Sequence, residues 1–194
     1  MSEPWIHIGR VWTNGERLLA MDSGLVDAWD SDERFDELVD LGSAATRISV
    51  GGGFAGIIGD GSVNDEGWIE VFQSGRDRLA VLHVSGQPYD HALKDALAYP
   101  TDADAHGGTL TLPGGELALF SSALDEVRDN SVPLVRASPG PTPRAYRPAS
   151  MSTPRAEVVT GLLVALPAGA YRLQVRWRTR VADDAVFARW LLSP

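Results

Sequence analysis

Short segments in which apolar and polar residues alternate, separated by glycine and proline, are the feature that most constrains the fold of this chain. The 194 residues include 20 Gly and 12 Pro, and the segments between them leave little room for long helices. Side chains of a strand switch faces at every residue, so alternation indicates a strand with one buried face. The pattern predicts a mainly β protein of the α+β class, with antiparallel sheets in a sandwich-like arrangement and two short helices.

The predicted strands share this alternation and are bounded by turn residues. They are Ile6–Trp12, Arg17–Met21, Thr46–Val50, Ala55–Ile58, Gly67–Gln73, Arg78–Val84, Gly108–Leu112, Glu116–Ser121, Val158–Leu166, Ala170–Val181 and Val186–Leu192. Glycine-containing turns of the kind that close hairpins are predicted at Asn14-Gly15, Asp60-Gly61, Ser74-Gly75 and Pro113-Gly114-Gly115.

Two segments have the apolar spacing of helices. The first begins with capping and acidic residues at Asp30–Glu33 and ends before Gly42. We expect one apolar stripe of this helix to face the core, formed by Phe35, Leu38, Val39 and Leu41. The second helix is predicted over Tyr89–Tyr99, where Pro100 ends the pattern.

Composition indicates one domain over residues 1–194, because 44% apolar residues in a chain of this length suffice for one core. The absence of cysteine excludes disulfides, thiolate catalysis and cysteine-ligated metals. The first residues lack the basic and apolar regions of a signal peptide, and no apolar run is long enough to span a membrane. We therefore expect a cytoplasmic protein without a membrane partner.

Residues 138–154 contain five Pro and are predicted as a surface connection within the domain.

Charge divides the chain into two unequal parts. Residues 1–132 hold 23 acidic and 8 basic residues, whereas residues 133–194 hold 3 acidic and 9 basic residues. The whole chain carries a net charge of −9. Because neutralisation of phosphates drives nucleic-acid binding, this charge argues against a nucleic-acid partner.

The acidic charge is densest over Asp22–Asp40, where eight acidic residues accompany only Arg34. Such a segment is typical of a solvated helix face. The alternative is recognition, since an acidic helix is complementary to the basic groove of a protein that cleaves or binds nucleic acid. The candidate partner-binding residues are Asp30, Asp32, Glu33, Asp36, Glu37 and Asp40.

The basic charge is densest in the predicted strand Tyr171–Arg180. Alternation places apolar residues on one face and four arginines on the other, namely Arg172, Arg176, Arg178 and Arg180. One interpretation is a solvated sheet face partly neutralised by acids of neighbouring strands. The other is an anion-binding surface, because guanidinium groups pair with carboxylates and phosphates through two parallel hydrogen bonds.

No motif in the sequence indicates catalysis, a cofactor or a metal. None of the four histidines lies four residues from another, and those at Asp90-His91 and Asp102–His106 are expected to be ordinary exposed residues. The segment Asp60–Gly67 departs from the calcium-loop pattern at its glycine and final acidic positions. Gly51–Gly56 lacks the spacing of a phosphate-binding loop and is predicted as a bulge or bend. Ser121 and Ser122 lack the context of a nucleophilic serine.

Three blocks, in order along the chain, resemble the immunity protein 21 family of bacteria. The blocks comprise Trp12–Leu19 followed by Trp29 and an acidic helix, then Gly53–Asp60 with the later Leu117–Ala123, and finally Leu166–Val175 with the terminal Trp190–Pro194. The ending is the most specific of the three.

The resemblance implies a cytoplasmic, non-enzymatic protein that binds and occludes a cognate toxin domain, with a nuclease among the activities such a toxin could have. Trp29 and Phe35 would be interface anchors if exposed, but their positions favour the core. The alternative function, from the residues alone, is a β-sandwich that binds small ligands or carbohydrates through the arginine face near Trp177. An enzyme is not favoured, because no acid, base and nucleophile converge in the sequence.

Overall fold

Two six-stranded sheets pack face to face in the computed structural model of the chain. The structure describes residues 3–59, 63, 67–123, 134–145, 159–182 and 184–194, with backbone only at residues 31–33 and 35. The strands are β1 Trp5–Thr13, β2 Leu18–Asp22, β3 Arg47–Val50, β4 Gly53–Ile58, β5 Gly67–Ser74, β6 Arg78–Ser85, β7 Ala105–Leu112, β8 Glu116–Ser121, β9 Val135–Arg136, β10 Gly161–Ala165, β11 Gly169–Arg180 and β12 Val186–Ser193. The prediction of a mainly β, sandwich-like fold is therefore confirmed.

The first sheet has the strand order β1-β5-β6-β12-β11-β7, and all its neighbouring strands are antiparallel. The second sheet has the order β3-β4-β2-β8-β10-β9, and its only parallel pair in the described chain is β9 with β10. Strand β1 forms one edge of the first sheet, and β9 forms one edge of the second sheet. A bulge interrupts β1 between His7 and Gly9.

Three short helices accompany the sheets in the part of the chain that the structure describes. Helices α1, Ser31–Asp40, and α2, Tyr89–Ala98, confirm the two predicted helices, whereas the 3-10 helix Ser23–Ala28 was not predicted. The two-residue strand β9 was not predicted either. Among the described residues, no helix combines the length and apolar character needed to cross a membrane.

The main core lies between the sheets and two smaller cores lie outside them. Leu18, Val71, Leu119 and Trp190 belong to the central layer. A second cluster on the outer face of the second sheet includes Leu38 of α1. A third cluster, which includes Tyr89 of α2, covers the outer face of the first sheet. Each α-helix therefore covers the outer face of one sheet, as expected for short amphipathic helices on a β-sandwich.

The predicted turns agree with the structure where it describes them. Gly75 and Gly115 follow β5 and β7 with φ values of 63° and 68°, a conformation that favours glycine. The glycines between β3 and β4 form a hairpin turn, in agreement with the predicted bend. Residues 60–62 and 64–66, which include the calcium-like segment, lie outside the described residues.

The described part of the predicted proline-rich connection, residues 138–145, runs along the surface without regular secondary structure. Backbone hydrogen bonds join it to the edge of the first sheet, from Ser138 N to the Ile8 carbonyl and from Gly140 N to the His7 carbonyl. The remainder of the predicted connection lies outside the described residues.

Candidate functional site

The exposed face of α1 combines acidic and apolar side chains. Asp36, Glu37 and Asp40 are exposed, and Asp36 and Asp40 are one helical turn apart. Val39 lies between them in the sequence and exposes 58% of its surface, and Leu41 directly after the helix exposes 43%. We call these five residues the α1 surface.

The prediction for two residues of the apolar stripe is wrong, because Val39 and Leu41 do not face the core. Only Leu38 among the described side chains of the stripe is buried, beside Trp29. The other expected member, Phe35, lies among the residues whose side chains are not described. A ten-residue helix that packs on one cluster needs only a narrow apolar stripe, so Val39 of α1 and Leu41 directly after it stay at the surface.

Contacts on the buried side hold α1 in a defined orientation. Trp29 is buried, as predicted, and its indole Nε1 donates a hydrogen bond to the Ser122 carbonyl at 3.1 Å. Arg17 donates to the carbonyls of Leu38 and Gly42 at 2.6 and 2.9 Å. A guanidinium at the C-terminal end of a helix satisfies free carbonyls and complements the helix dipole. The α1 surface is therefore presented on an anchored element.

The other predicted acidic residues have different surroundings. Asp22 is buried and accepts hydrogen bonds from Gly24 N at 3.0 Å and from Gly114 N at 3.1 Å, so it has a structural role. Asp30 is half-buried immediately before α1. Within the surface, Glu37 pairs with Arg34 at 2.8 Å. The side chains of the predicted partner-binding residues Asp32 and Glu33 lie outside the described set.

The arginine strand has the predicted alternation, but its four arginines do not form one free surface. Arg172, Arg178 and Arg180 are exposed. Arg176 instead donates from Nε to Asp104 at 2.6 Å, and a register shift in the pairing with β12 follows it. For Arg176, the interpretation of a face neutralised by nearby acidic residues therefore holds, with Asp104 just before β7 as the partner.

Asp104 also binds a second arginine that the sequence analysis missed. Arg189 of β12 is 1% exposed and donates to Asp104 at 2.9 Å. The same guanidinium donates to the carbonyls of Ala96 and Tyr99, both at 2.8 Å, at the C-terminal end of α2. The signal in the sequence was a single cation within an otherwise apolar strand, which indicates a buried and paired charge.

The sequence analysis also missed a buried carboxylate beneath the start of α2. Glu70 of β5 is fully buried and accepts hydrogen bonds from His7 Nε2 at 2.8 Å and from the Tyr89 hydroxyl at 3.1 Å. His7 is itself largely buried. His91 and His106, in contrast, are exposed as predicted. No group of three or more metal-ligating side chains occurs among the described residues.

The charged groups described above therefore form two surfaces and two buried clusters. The surfaces are the α1 surface and the three exposed arginines of β11, and the clusters, around Asp104 and around Glu70, lie beside α2. The buried clusters have protein partners for their charges, whereas the two surfaces present charge to the solvent. No protein-family model, curated protein or solved structure matches this chain.

Proposed function

We propose that this chain is a cytoplasmic, non-enzymatic immunity protein that binds a basic toxin domain through the α1 surface and occludes its active site. The observation that supports this proposal is that exposed acidic residues of one anchored helix lie beside two exposed apolar residues, Val39 on the helix and Leu41 directly after it. The exposed aliphatic side chains give this acidic surface an apolar component that a partner protein can cover.

The two kinds of side chain have different roles in the proposed complex. Asp36 and Asp40 attract a basic partner and increase the association rate, because complementary charges guide diffusional encounter. Val39 and Leu41 lose contact with water on binding and slow dissociation, as the desolvated centre of an interface does. A toxin that binds nucleic acid has a basic groove that fits such a surface. Inhibition by occlusion requires no catalytic group in this chain.

The test compares two double charge reversals of the full-length protein. Asp36→Lys with Asp40→Lys changes the α1 surface, and Asp95→Lys with Asp102→Lys makes the same change in net charge at exposed positions elsewhere. Tagged wild-type protein first retains its partner from native cell extract, and the purified partner is then used for kinetic binding measurements. We expect the α1 variant to lower the association rate constant at least about tenfold at low salt, and the control variant to leave it within about twofold.

The salt dependence and the apolar residues provide a second measurement. The association rate of the wild type should fall with ionic strength, and that of the α1 variant should be nearly independent of it. Val39→Ser should increase the dissociation rate with little change in association rate. The proposal is wrong if the retained partner binds the α1 variant with wild-type kinetics, or if the bound partner keeps its full activity.

A further inference from the structure

A cleft of about 780 Å³ opens where the edges of the two sheets approach each other. Its lining comes from β1, from β9 and the segment 138–145 that follows it, and from Val159 and Leu162 around the start of β10. None of the described side chains of α1 lines the cleft, and the five residues of the α1 surface are all outside its lining. Ligand pockets in proteins have volumes of roughly 300 to 1,000 Å³, and this cleft falls within that range.

The walls of the cleft are held by backbone hydrogen bonds to both sheets. Ala137 N donates to the Leu163 carbonyl of β10 at 2.8 Å. Ser138 N and Gly140 N donate to the Ile8 and His7 carbonyls of β1, both at 2.9 Å. The segment 137–140 therefore bridges the sheets and fixes the distance between the two walls.

The floor of the cleft is apolar and continuous with the central core. Ile8 and Leu162 line it and are both almost completely buried. Val159 lines it as well and packs against the same core. Val135 also lines the cleft and is 48% exposed. An apolar ligand group placed here would lose contact with water on two sides.

The charges around this floor are basic, although the chain as a whole is acidic. Arg10, Arg136 and Arg144 line the cleft, and none of its described lining residues is acidic. Arg10 stacks on Trp68 with its guanidinium 4.1 Å from the ring and lies 4.0 Å from the Glu70 carboxylate, and Arg136 pairs with Glu116 at 2.8 Å. Arg144 is exposed at the lining. The cleft therefore combines an apolar floor with guanidinium groups suited to carboxylates.

We propose that this cleft binds a small amphipathic carboxylate, with the aliphatic body on the floor of Ile8, Val159 and Leu162 and the carboxylate at Arg144 and Arg136. The ligand differs from the protein partner of the α1 surface. The two bind independently of each other.

Octanoate is the probe for this proposal, titrated into the full-length protein by isothermal calorimetry. We expect saturable binding with one site per chain. Acetate, which lacks the aliphatic body, and octanol, which lacks the charge, should bind at least about tenfold more weakly, because each loses one of the two required interactions.

Variants locate the binding site. Arg144→Gln should weaken octanoate binding at least about tenfold, since it removes a charge-assisted hydrogen bond. Val135→Glu places a carboxylate at the cleft and should abolish binding, and both positions are exposed enough for the fold to tolerate the change. Arg172→Gln, on the exposed face of β11, is the control with the same change of charge and should bind octanoate as the wild type does.

The proposal is overturned if octanoate shows no saturable binding, or if Arg144→Gln and Val135→Glu bind it as tightly as the wild type. An equal loss in Arg172→Gln would show a general charge effect and would also overturn it. The variant with Asp36→Lys and Asp40→Lys should bind octanoate normally, so failure of the toxin-binding proposal and failure of this one can be told apart.

Discussion

Replacing Asp104 by asparagine should destabilise the protein by about 3 kcal/mol, because two arginines depend on its carboxylate. The Asp104 side chain is fully buried, with one oxygen 2.6 Å from Arg176 and the other 2.9 Å from Arg189. These arginines are directly opposite each other in the pairing of β11 with β12. Like charges in that position repel each other, and the carboxylate between them removes the repulsion.

The expected loss of stability follows from the two arginine charges that remain in place after the substitution. Removing one partner of a buried ion pair costs roughly 3 to 5 kcal/mol, since the other charge stays buried without compensation. Arg189 keeps carbonyl acceptors at Ala96, Tyr99 and Pro100, and Arg176 is less buried than Arg189. The lower end of the range is therefore expected. In a protein of this length, such a loss lowers the melting temperature by about 6 to 12 °C.

The assay is urea unfolding at pH 7 followed by tryptophan fluorescence, for which the chain has six tryptophans. Asp102→Asn is the matched control, because the same chemical change at an exposed position should cost less than about 0.5 kcal/mol. Adding Arg176→Met to Asp104→Asn should recover up to about 1 kcal/mol by removing the repulsion between the arginines. A loss below about 1 kcal/mol in Asp104→Asn would refute the reasoning that this carboxylate holds the pair together.

Three further predictions concern buried side chains. Burial and the charge of Asp77 raise the pKa of the Tyr171 hydroxyl above its ordinary value of 10.0, so the unfolded chain ionises first and the free energy of unfolding should fall as pH rises above that value. Tyr171→Phe should remove this part of the pH dependence in urea unfolding measured from pH 8 to 11. Leu38→Ala should lower the free energy of unfolding by about 2 to 3 kcal/mol in the same assay, because it leaves a cavity beneath α1. Glu70→Ala should lower the free energy of unfolding by about 2 to 4 kcal/mol, because the buried donors of His7 and Tyr89 lose their acceptor.

Short apolar segments bounded by turn residues were sufficient to locate most strands, although β2, β6 and β12 are buried on both faces and do not show the expected alternation. Strand β8 has the predicted bounds, and most others differ by one or a few residues at their ends. Strand β9 escaped prediction because two residues are too few to show a period. Its pairing with β10 depends on a contact between distant parts of the chain.

The α1 surface was harder to predict because its composition depends on which side of the helix packs against the sheet. The sequence of α1 offers apolar residues over a wide arc, and only the cluster around Trp29 decides that Leu38 is buried and Val39 is exposed. The periodic pattern alone assigns both to the core. The acidic residues Asp36 and Asp40, in contrast, were predicted at the surface because charged residues on a helix are seldom buried without a partner.

The charge difference between the two parts of the chain is partly cancelled inside the molecule. Asp104, from the acidic part, pairs with Arg176 and Arg189 from the basic part and offsets one of their two positive charges. Because Arg176 is paired in this way, only three of the four arginines of the predicted anion-binding face are exposed. The acidic residues Asp36 and Asp40 of α1 take no part in these contacts and face solvent. The salt dependence of partner binding should therefore follow local substitutions at Asp36 and Asp40 rather than the net charge of the chain, and this is why the matched reversal at distant positions is the decisive control.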